Sequence, residues 1–163
     1  MTLYCFDTSV LIDMWHDRYP IDIFAPVWDG LDAAVKDGCA MAPAEVLREL
    51  KEGADGLYEW ARQRRDLFIE EDEELVAEAT AVVRDYPNLI DAGKTGPDAD
   101  PWVVALAHLK GCTVVTHEKK TGLKQFGMNK SRVRIPDVCD FMRIPRATVP
   151  AFLRSRGVAL GAP

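Results

Sequence analysis

The opening stretch of the chain constrains its fold most, because it combines a buried strand, an acid and the start of a helix. The apolar residues 3–6 have the character of a short buried strand, which ends at Asp7. Thr8 and Ser9 come next, and both residue types are suitable N-caps for a helix that continues through the apolar residues 10–12. Asp7 is therefore placed at the carboxyl end of a strand, where it either binds a ligand or merely caps the helix.

Strand-like and helical segments alternate along the rest of the chain. Further short apolar segments that favour strands lie at residues 39–42, 67–69, 112–116 and 133–136. Segments with helical spacing or helix-starting residues lie at residues 22–37, 43–53, 54–65, 75–85, 100–109, 137–139 and 148–156. Such alternation is typical of βαβ units. We therefore expect an α/β fold, a three-layer α/β/α sandwich with a mainly parallel sheet of four or five strands, formed by residues 1–163 as a single domain.

Several residues are expected to begin these helices. Asp22 is the expected N-cap of the helix at residues 22–37, and Pro43 suits the first turn of the next helix. Asp100 is the expected N-cap of a later helix, with Pro101 at its first position. The acidic cluster at residues 70–74 complements a helix dipole, which accounts for it without a metal ion.

Composition argues against several classes of protein. No apolar stretch approaches the roughly 18 residues that span a membrane, and no basic segment precedes the first apolar residues. We therefore expect a cytoplasmic protein without a membrane span. The cysteines and histidines offer none of the closely spaced pairs of a zinc site, so we expect buried free thiols at Cys5, Cys39 and Cys112.

Charge is distributed unevenly within a total of −6. Residues 1–118 carry 10 basic and 24 acidic side chains, whereas residues 119–163 carry 10 basic and 2 acidic ones. This asymmetry indicates either an anionic partner for the basic part or a solvated basic face. The basic loop at residues 119–134 contains no acid, and its candidate nucleic-acid-binding residues are Lys119, Lys120, Lys124, Lys130, Arg132 and Arg134.

Acids follow strands or start helices at several of the predicted junctions. In a parallel sheet these junctions share one edge, so the acids can converge there. Clustered carboxylates repel one another unless cations neutralise them, and oxygen ligands favour Mg²⁺ or Mn²⁺. Such a centre suits metal-assisted hydrolysis of phosphodiesters. The alternative is that each acid is only a cap, a surface acid or part of a solvated helix face. The acids are Asp7, Glu45, Glu49, Asp100 and Glu118.

Gly93-Lys94-Thr95 has the composition of the end of a phosphate-binding loop. The glycine that such a loop requires earlier is replaced by Asn88, and no predicted strand leads into the segment. We therefore do not interpret it as a nucleotide-binding loop.

Four short motifs resemble those of PIN domains and occur in the same order along the chain. They are FDTS at residues 6–9, VLREL at 46–50, DPWVVALA at 100–107 and VVTHE at 114–118. The chain is most similar to a PIN-like branch of uncharacterised function that also carries IPDVC, here at residues 135–139. The resemblance implies a Mg²⁺- or Mn²⁺-dependent nuclease. Many small bacterial PIN domains are VapC-type toxin ribonucleases, commonly dimeric, that an antitoxin neutralises.

The resemblance also implies roles for individual residues. The family's metal-binding acids correspond to Asp7, Glu49, Asp100 and Glu118, and Glu45 and Asp98 are alternatives within one helical turn or two residues. Polar residues that support the acids correspond to Thr8, Ser9 and Thr116. At the fourth acidic position the family frequently has Asp where this chain has Glu118.

We therefore expect a metal-dependent endoribonuclease acting on RNA, with a cognate antitoxin and a homodimer as further expectations from the resemblance. The alternative is a catalytically weak PIN-like module that binds RNA or a protein partner. A haloacid-dehalogenase-like phosphatase is disfavoured, because that family has a second Asp where this chain has Ser9.

Overall fold

The computed structural model describes residues 1–120 and 132–161, and the structural statements below concern these residues. The strands are β1 (Tyr4–Phe6), β2 (Ala40–Pro43), β3 (Phe68–Ile69), β4 (Thr113–Val115) and β5 (Arg146–Ala147). The α-helices are α1 (Thr8–Asp13), α2 (Ala25–Lys36), α3 (Ala44–Gly53), α4 (Gly56–Arg62), α5 (Glu73–Asp85), α6 (Asp100–Lys110), α7 (Ile135–Met142) and α8 (Val149–Ser155). A π-helical turn (Met14–Arg18) and two 3₁₀ turns (Arg65–Leu67 and Pro87–Leu89) complete the regular structure.

The strands form one five-stranded sheet in the order β3-β2-β1-β4-β5. Every neighbouring pair is parallel, and Tyr4 of β1 lies opposite Ala40 of β2 and Thr113 of β4. The chain places β2 and β3 on one side of β1 and then crosses to place β4 and β5 on the other. The order of the strands thus reverses between β1 and β4, which is where open α/β sheets bind their ligands.

The helices cover the two faces of this sheet, because right-handed crossovers that run in opposite directions from β1 place helices on opposite sides. Helix α6 packs against β1, β2 and β4, and α5 packs against α6. The predicted α/β sandwich with a parallel sheet of four or five strands is therefore confirmed.

The central strand β1 is buried throughout. The ring of Phe152 in α8 packs edge-on against the rings of Tyr4 and Phe6, at centroid distances of 5.0 and 5.1 Å. The predicted buried free thiols are confirmed, and a fourth is Cys139. Within residues 1–120 and 132–161, no helix combines the length and the apolar character needed to cross a membrane.

The strand predicted at residues 133–136 is wrong, because helix α7 already begins at Ile135. Pro136 fits this position, since proline suits the first turn of a helix, and Asp137 accepts a hydrogen bond of 2.9 Å from the backbone N–H of Arg134. The last strand is instead β5, a two-residue strand that pairs with β4.

Three other expected helix starts differ from the structure. Helix α2 begins at Ala25 rather than at residue 22, because the N–H groups of Ile23 and Phe24 bond to the carbonyl of Pro20 and form a turn. Pro43 is the last residue of β2 instead of lying in the first turn of α3. The helix expected at residues 54–65 is shorter and begins after Asp55, which accepts hydrogen bonds from the first turn of α4.

Candidate metal centre

Asp7 lies between the end of β1 and the start of α1, and its side chain is 1% exposed. It is the N-cap of α1, which confirms the capping alternative for Asp7, whereas the expected cap at Thr8 or Ser9 is wrong. Its Oδ1 accepts the N–H of Val10 at 2.7 Å, and its Oδ2 accepts the hydroxyls of Ser9 at 3.1 Å and Thr116 at 2.5 Å. Asp7 therefore caps the helix with one oxygen and presents the other at the point where the strand order reverses.

Glu49 on α3 connects three elements. Its Oε1 accepts the hydroxyl of Thr8 at 3.2 Å and the backbone N–H of Ala99 at 2.6 Å. Its Oε2 accepts a hydrogen bond from the Lys94 ammonium. Because Ala99 precedes α6, a side chain from α3 satisfies a backbone donor at the start of another helix.

Asp98 and Asp100 flank Ala99. Asp100 is the first residue of α6 rather than its cap, and the cap position is occupied by Ala99, which corrects the expectation for Asp100. Asp98 accepts the N–H of Asp100 at 3.3 Å and the N–H of Asp91 at 3.0 Å. One carboxylate oxygen each from Glu49, Asp98 and Asp100 lies within 4.8 Å of the other two. Carboxylate oxygens this close together could hold one divalent cation.

Glu118 follows β4, and its backbone N–H donates to the hydroxyl of Thr116 at 3.1 Å. In the part of the chain that the structure describes, its buried Oε2 has no hydrogen-bond partner. Burial raises the pKa of Glu118, and the positive charges of Arg134 and Arg132 oppose this. A buried carboxylate oxygen without a donor is costly, which makes it a candidate cation ligand.

The acids of the cluster influence one another electrostatically. Burial and, to a smaller extent, the charge of Glu118 raise the pKa of Asp7 to about 7, against the hydrogen bonds that Asp7 accepts, which lower it. Burial likewise raises the pKa of Asp100 to about 8. The acids whose negative charges add to the shift at Asp100 are Glu118, Asp98, Asp7 and Glu49. Five carboxyl groups therefore share one region at the carboxyl edge of the sheet, and we call them the carboxylate cluster.

Glu45, the alternative to Glu49, has a different partner. It forms an ion pair with Arg48, which also binds Glu71. The hydrogen bond from Arg48 lowers the pKa of Glu71 to about 2. Arg48 thus occupies Glu45 in an ion-pair network beside β3, and the structure does not bring Glu45 into the carboxylate cluster.

Four of the six predicted basic residues lie in the described part of the chain, and one of them borders the carboxylate cluster. Arg132 pairs with Asp91 and lies 3.5 Å from Asp100, so it borders the carboxylate cluster. Lys120 pairs with Asp140, and Lys119 is exposed. Arg134 is the N-cap residue of α7, and its side chain is exposed. Two further predicted residues, Lys124 and Lys130, lie outside the described residues.

A pocket of about 650 Å³ adjoins the cluster on the side of β5. Thr116 and Glu118 line it at the cluster, and Arg18, His117 and Arg146 line it farther away. His117 binds Asp13 rather than pointing into the cluster. The pocket gives an extended ligand room beside the acids.

Lys94 is a site residue that the sequence interpretation missed. Burial lowers the pKa of Lys94, but the charges of Glu49, Asp98 and Asp100 outweigh this and raise it. The sequence signal is the loop Gly93-Lys94-Thr95, whose lysine contacts the carboxylate of Glu49. Asp98, which the sequence offers only as an alternative ligand, is held in the cluster by the same loop, because it accepts the N–H of Asp91.

The residues present fit a hard divalent cation. Their donor atoms are all carboxylate oxygens, which are the ligands that Mg²⁺ and Mn²⁺ prefer. Burial disfavours the charged forms of Asp7 and Asp100, and a dication would restore them. The ligands would come from Glu49, Asp98 and Asp100, with Asp7 and Glu118 beside them.

Comparison with known proteins gives a family match and similarity to a solved structure. Residues 4–160 match the family described as "Domain of unknown function (DUF4411)". No curated protein matches the chain. A solved structure described as VapBC2 from Rickettsia felis, bound to a DNA fragment from its promoter, is similar with 14% identity and a TM-score of 0.49. The similarity covers 90% of this chain and 98% of that one.

Proposed function

This chain belongs to the DUF4411 family, and we propose that it is a PIN-like, metal-dependent endoribonuclease whose active site is the carboxylate cluster. The observation that carries this proposal is the convergence of one carboxylate oxygen each from Glu49, Asp98 and Asp100, which lie within 4.8 Å of one another. Among the described residues, ion pairs reach only Glu49, from Lys94, and Asp100, from Arg132, and the other acids of the cluster have none. The convergence of these acids at the edge between β1 and β4 favours a bound cation.

The protein's own residues would divide the work as follows. Glu49, Asp98 and Asp100 would hold the ion, while Asp7 and Glu118 would complete the negative field around it. Ser9 and Thr116 hold Asp7 in one orientation through their hydroxyls, and Thr8 does the same for Glu49. When bound, Mg²⁺ or Mn²⁺ supplies an activated water and stabilises the leaving oxygen of a phosphodiester.

The basic residues beside the cluster support an anionic polymer as the substrate. Arg132 lies at the rim of the acids and Arg134 is exposed at the start of α7. Lys and Arg side chains in such places bind the phosphates of single-stranded RNA without reading its sequence. We propose RNA as the substrate for this reason. The PIN-like motifs further suggest a toxin with a cognate antitoxin, a homodimer and a cytoplasmic location.

The test is an RNA cleavage assay with Mn²⁺ or Mg²⁺, run alongside EDTA. We expect the unmodified chain to cleave RNA and EDTA to abolish the cleavage. In Asp7→Asn the cleavage rate should fall by more than about 100-fold, because even residues that only support metal ligands change activity by up to about that factor. Glu45→Gln is the matched control and should cleave at the normal rate. Cleavage that persists in EDTA or in Asp7→Asn would overturn the proposal. RNA binding that chelation does not change, without cleavage, would instead support the alternative of a binding module.

A further inference from the structure

Lys94 occupies a defined position over the carboxylate cluster. Its loop is closed by the hydrogen bonds from the Lys94 N–H to the Asp91 carbonyl, at 3.0 Å, and from the Asp91 N–H to Asp98, at 3.0 Å. The Gly93 N–H also donates to Asp91, at 3.1 Å. Because both ends of the loop are fixed in this way, Lys94 is presented to the cluster by its backbone and does not reach it by chance.

The Lys94 ammonium lies where a cation would be needed. It binds Oε2 of Glu49, an acid whose side chain is only 12% exposed. Asp98 and Asp100 also act on its charge. These three acids are the ones whose carboxylate oxygens lie within 4.8 Å of one another. An ammonium group and a divalent ion at the same carboxylates repel each other, since both are positively charged and partly shielded from water.

We propose that Lys94 is a resident counter-ion of the carboxylate cluster, which a divalent cation must displace in order to bind. This inference rests on the proposed function, because it assigns a regulatory role at the same site. Lys94 stabilises the metal-free cluster by neutralising Glu49, and it lowers the affinity for the metal by competing with it. Metal binding is thereby coupled to the position of the loop at residues 91–98.

The coupling distinguishes this contact from an ordinary surface ion pair. The pair between Arg84 and Asp85, for example, is exposed on both sides and involves no acid of the carboxylate cluster. Breaking such a pair changes little. Breaking the contact of Lys94 with Glu49 removes a positive charge from three converging carboxylates. The affinity of these carboxylates for another cation must therefore rise.

The inference is tested by calorimetric titration of MnCl₂ into the full chain without RNA. We compare the unmodified protein with Lys94→Met, with Lys94→Arg, which keeps the charge, and with Lys110→Met at the opposite end of α6. We expect Mn²⁺ to bind Lys94→Met roughly 10-fold more tightly, within the usual range for coupled sites. Lys94→Arg and Lys110→Met should bind Mn²⁺ as the unmodified protein does. The metal-free Lys94→Met protein should also unfold at a lower temperature.

Equal or weaker binding of Mn²⁺ to Lys94→Met, with normal binding to the unmodified protein, would overturn this inference and leave the proposed function standing. Absence of Mn²⁺ binding in all four proteins would overturn both. A second measurement needs no variant: Mn²⁺ should speed tryptic cleavage after Lys94 several-fold in the unmodified chain, because proteolysis follows the released population of the loop. A cleavage rate that Mn²⁺ does not change would also overturn the inference.

Discussion

The hydroxyl of Thr116 donates a hydrogen bond of 2.5 Å to Asp7, although 109 positions separate the two residues in the sequence. The contact joins the ends of the neighbouring strands β1 and β4. The same hydroxyl accepts the backbone N–H of Glu118 at 3.1 Å. One side chain therefore fixes the positions of two acids where the strand order reverses.

Replacing Thr116 with valine should destabilise the chain by about 1–3 kcal/mol, because the buried Asp7 loses a donor and the Glu118 N–H loses its acceptor. Thr116→Ser keeps the hydroxyl and should cost less than Thr116→Val. Urea unfolding of the two variants at the same pH measures the difference. If Thr116→Val were as stable as Thr116→Ser, the hydroxyl would have no part in holding the acids.

The stability of the metal-free protein should fall as the pH rises from roughly 5 to roughly 8. The pKa values of Asp7 and Asp100 are raised to about 7 and about 8, so the folded state holds protons that the unfolded state has already released. Stability that is fully present below their ordinary pKa is therefore lost as the pH passes through these values. We expect a loss on the order of 1–4 kcal/mol, measured by urea unfolding in EDTA.

Two comparisons tie this pH dependence to the carboxylate cluster. Asp100→Asn should flatten it, since one of the three cluster acids with a raised pKa, Asp7, Asp100 and Glu118, is removed. Mn²⁺ should restore more stability at the higher pH, where the cluster is ionised and binds cations best. Glu71, whose pKa is lowered to about 2, is ionised in both states over this range and does not contribute. Stability that stays constant or rises between the two pH values would contradict the assigned shifts.

Glu49→Gln and Glu45→Gln should behave differently even though one helical turn separates the two residues. Glu49→Gln removes a charge from the cluster and should weaken Mn²⁺ binding by about 10–100-fold. Glu45→Gln breaks a partly exposed ion pair with Arg48 and should cost no more than about 1 kcal/mol, with normal Mn²⁺ affinity. Calorimetry and urea unfolding measure the two effects. A loss of Mn²⁺ binding in Glu45→Gln would move the site by one turn of α3.

Arg132 and Arg134 should contribute to RNA affinity through phosphate contacts. Replacing both with alanine should lower the slope of log affinity against log salt by about 1.4, or 0.7 for each single-strand phosphate. Fluorescence anisotropy with single-stranded RNA measures this, with the Asp7→Asn protein as background to prevent cleavage. Arg84→Ala on α5 is the control and should leave the slope unchanged. An unchanged slope in the double variant would remove these residues from the RNA interface.

The strand–helix alternation made the architecture predictable, but not every element. Residues 133–136 have the sequence of a short strand, and Val133 is indeed buried, with its N–H bonded to the Asn88 carbonyl at 3.0 Å. Pro136 then starts a helix. The true last strand, β5, consists of Arg146 and Ala147 and has no apolar run of its own. It forms because it pairs with β4, which is distant in the sequence, and such pairing leaves no recognisable pattern in residues 146–147 themselves.

The convergence of Asp7, Asp100 and Glu118 was predictable from their places at strand ends and at a helix start, because a parallel sheet brings those places to one edge. Asp98 was only an alternative that the resemblance to PIN domains implied. The choice between Glu45 and Glu49 could not be made from the sequence, since both lie on one face of α3. Their contacts in the structure distinguish them, since Glu45 pairs with Arg48 and Glu49 accepts the N–H of Ala99. Lys94 was not foreseen, because its contact with the acids depends on how the loop before α6 folds back over α3.

The most direct test of the carboxylate cluster as a metal centre is anomalous diffraction from crystals of the full chain soaked in MnCl₂. We predict a manganese peak in contact with carboxylate oxygens of Glu49 and Asp100, with the Lys94 ammonium displaced from Glu49. A map without a peak at these acids, in which Lys94 still binds Glu49, would contradict the account.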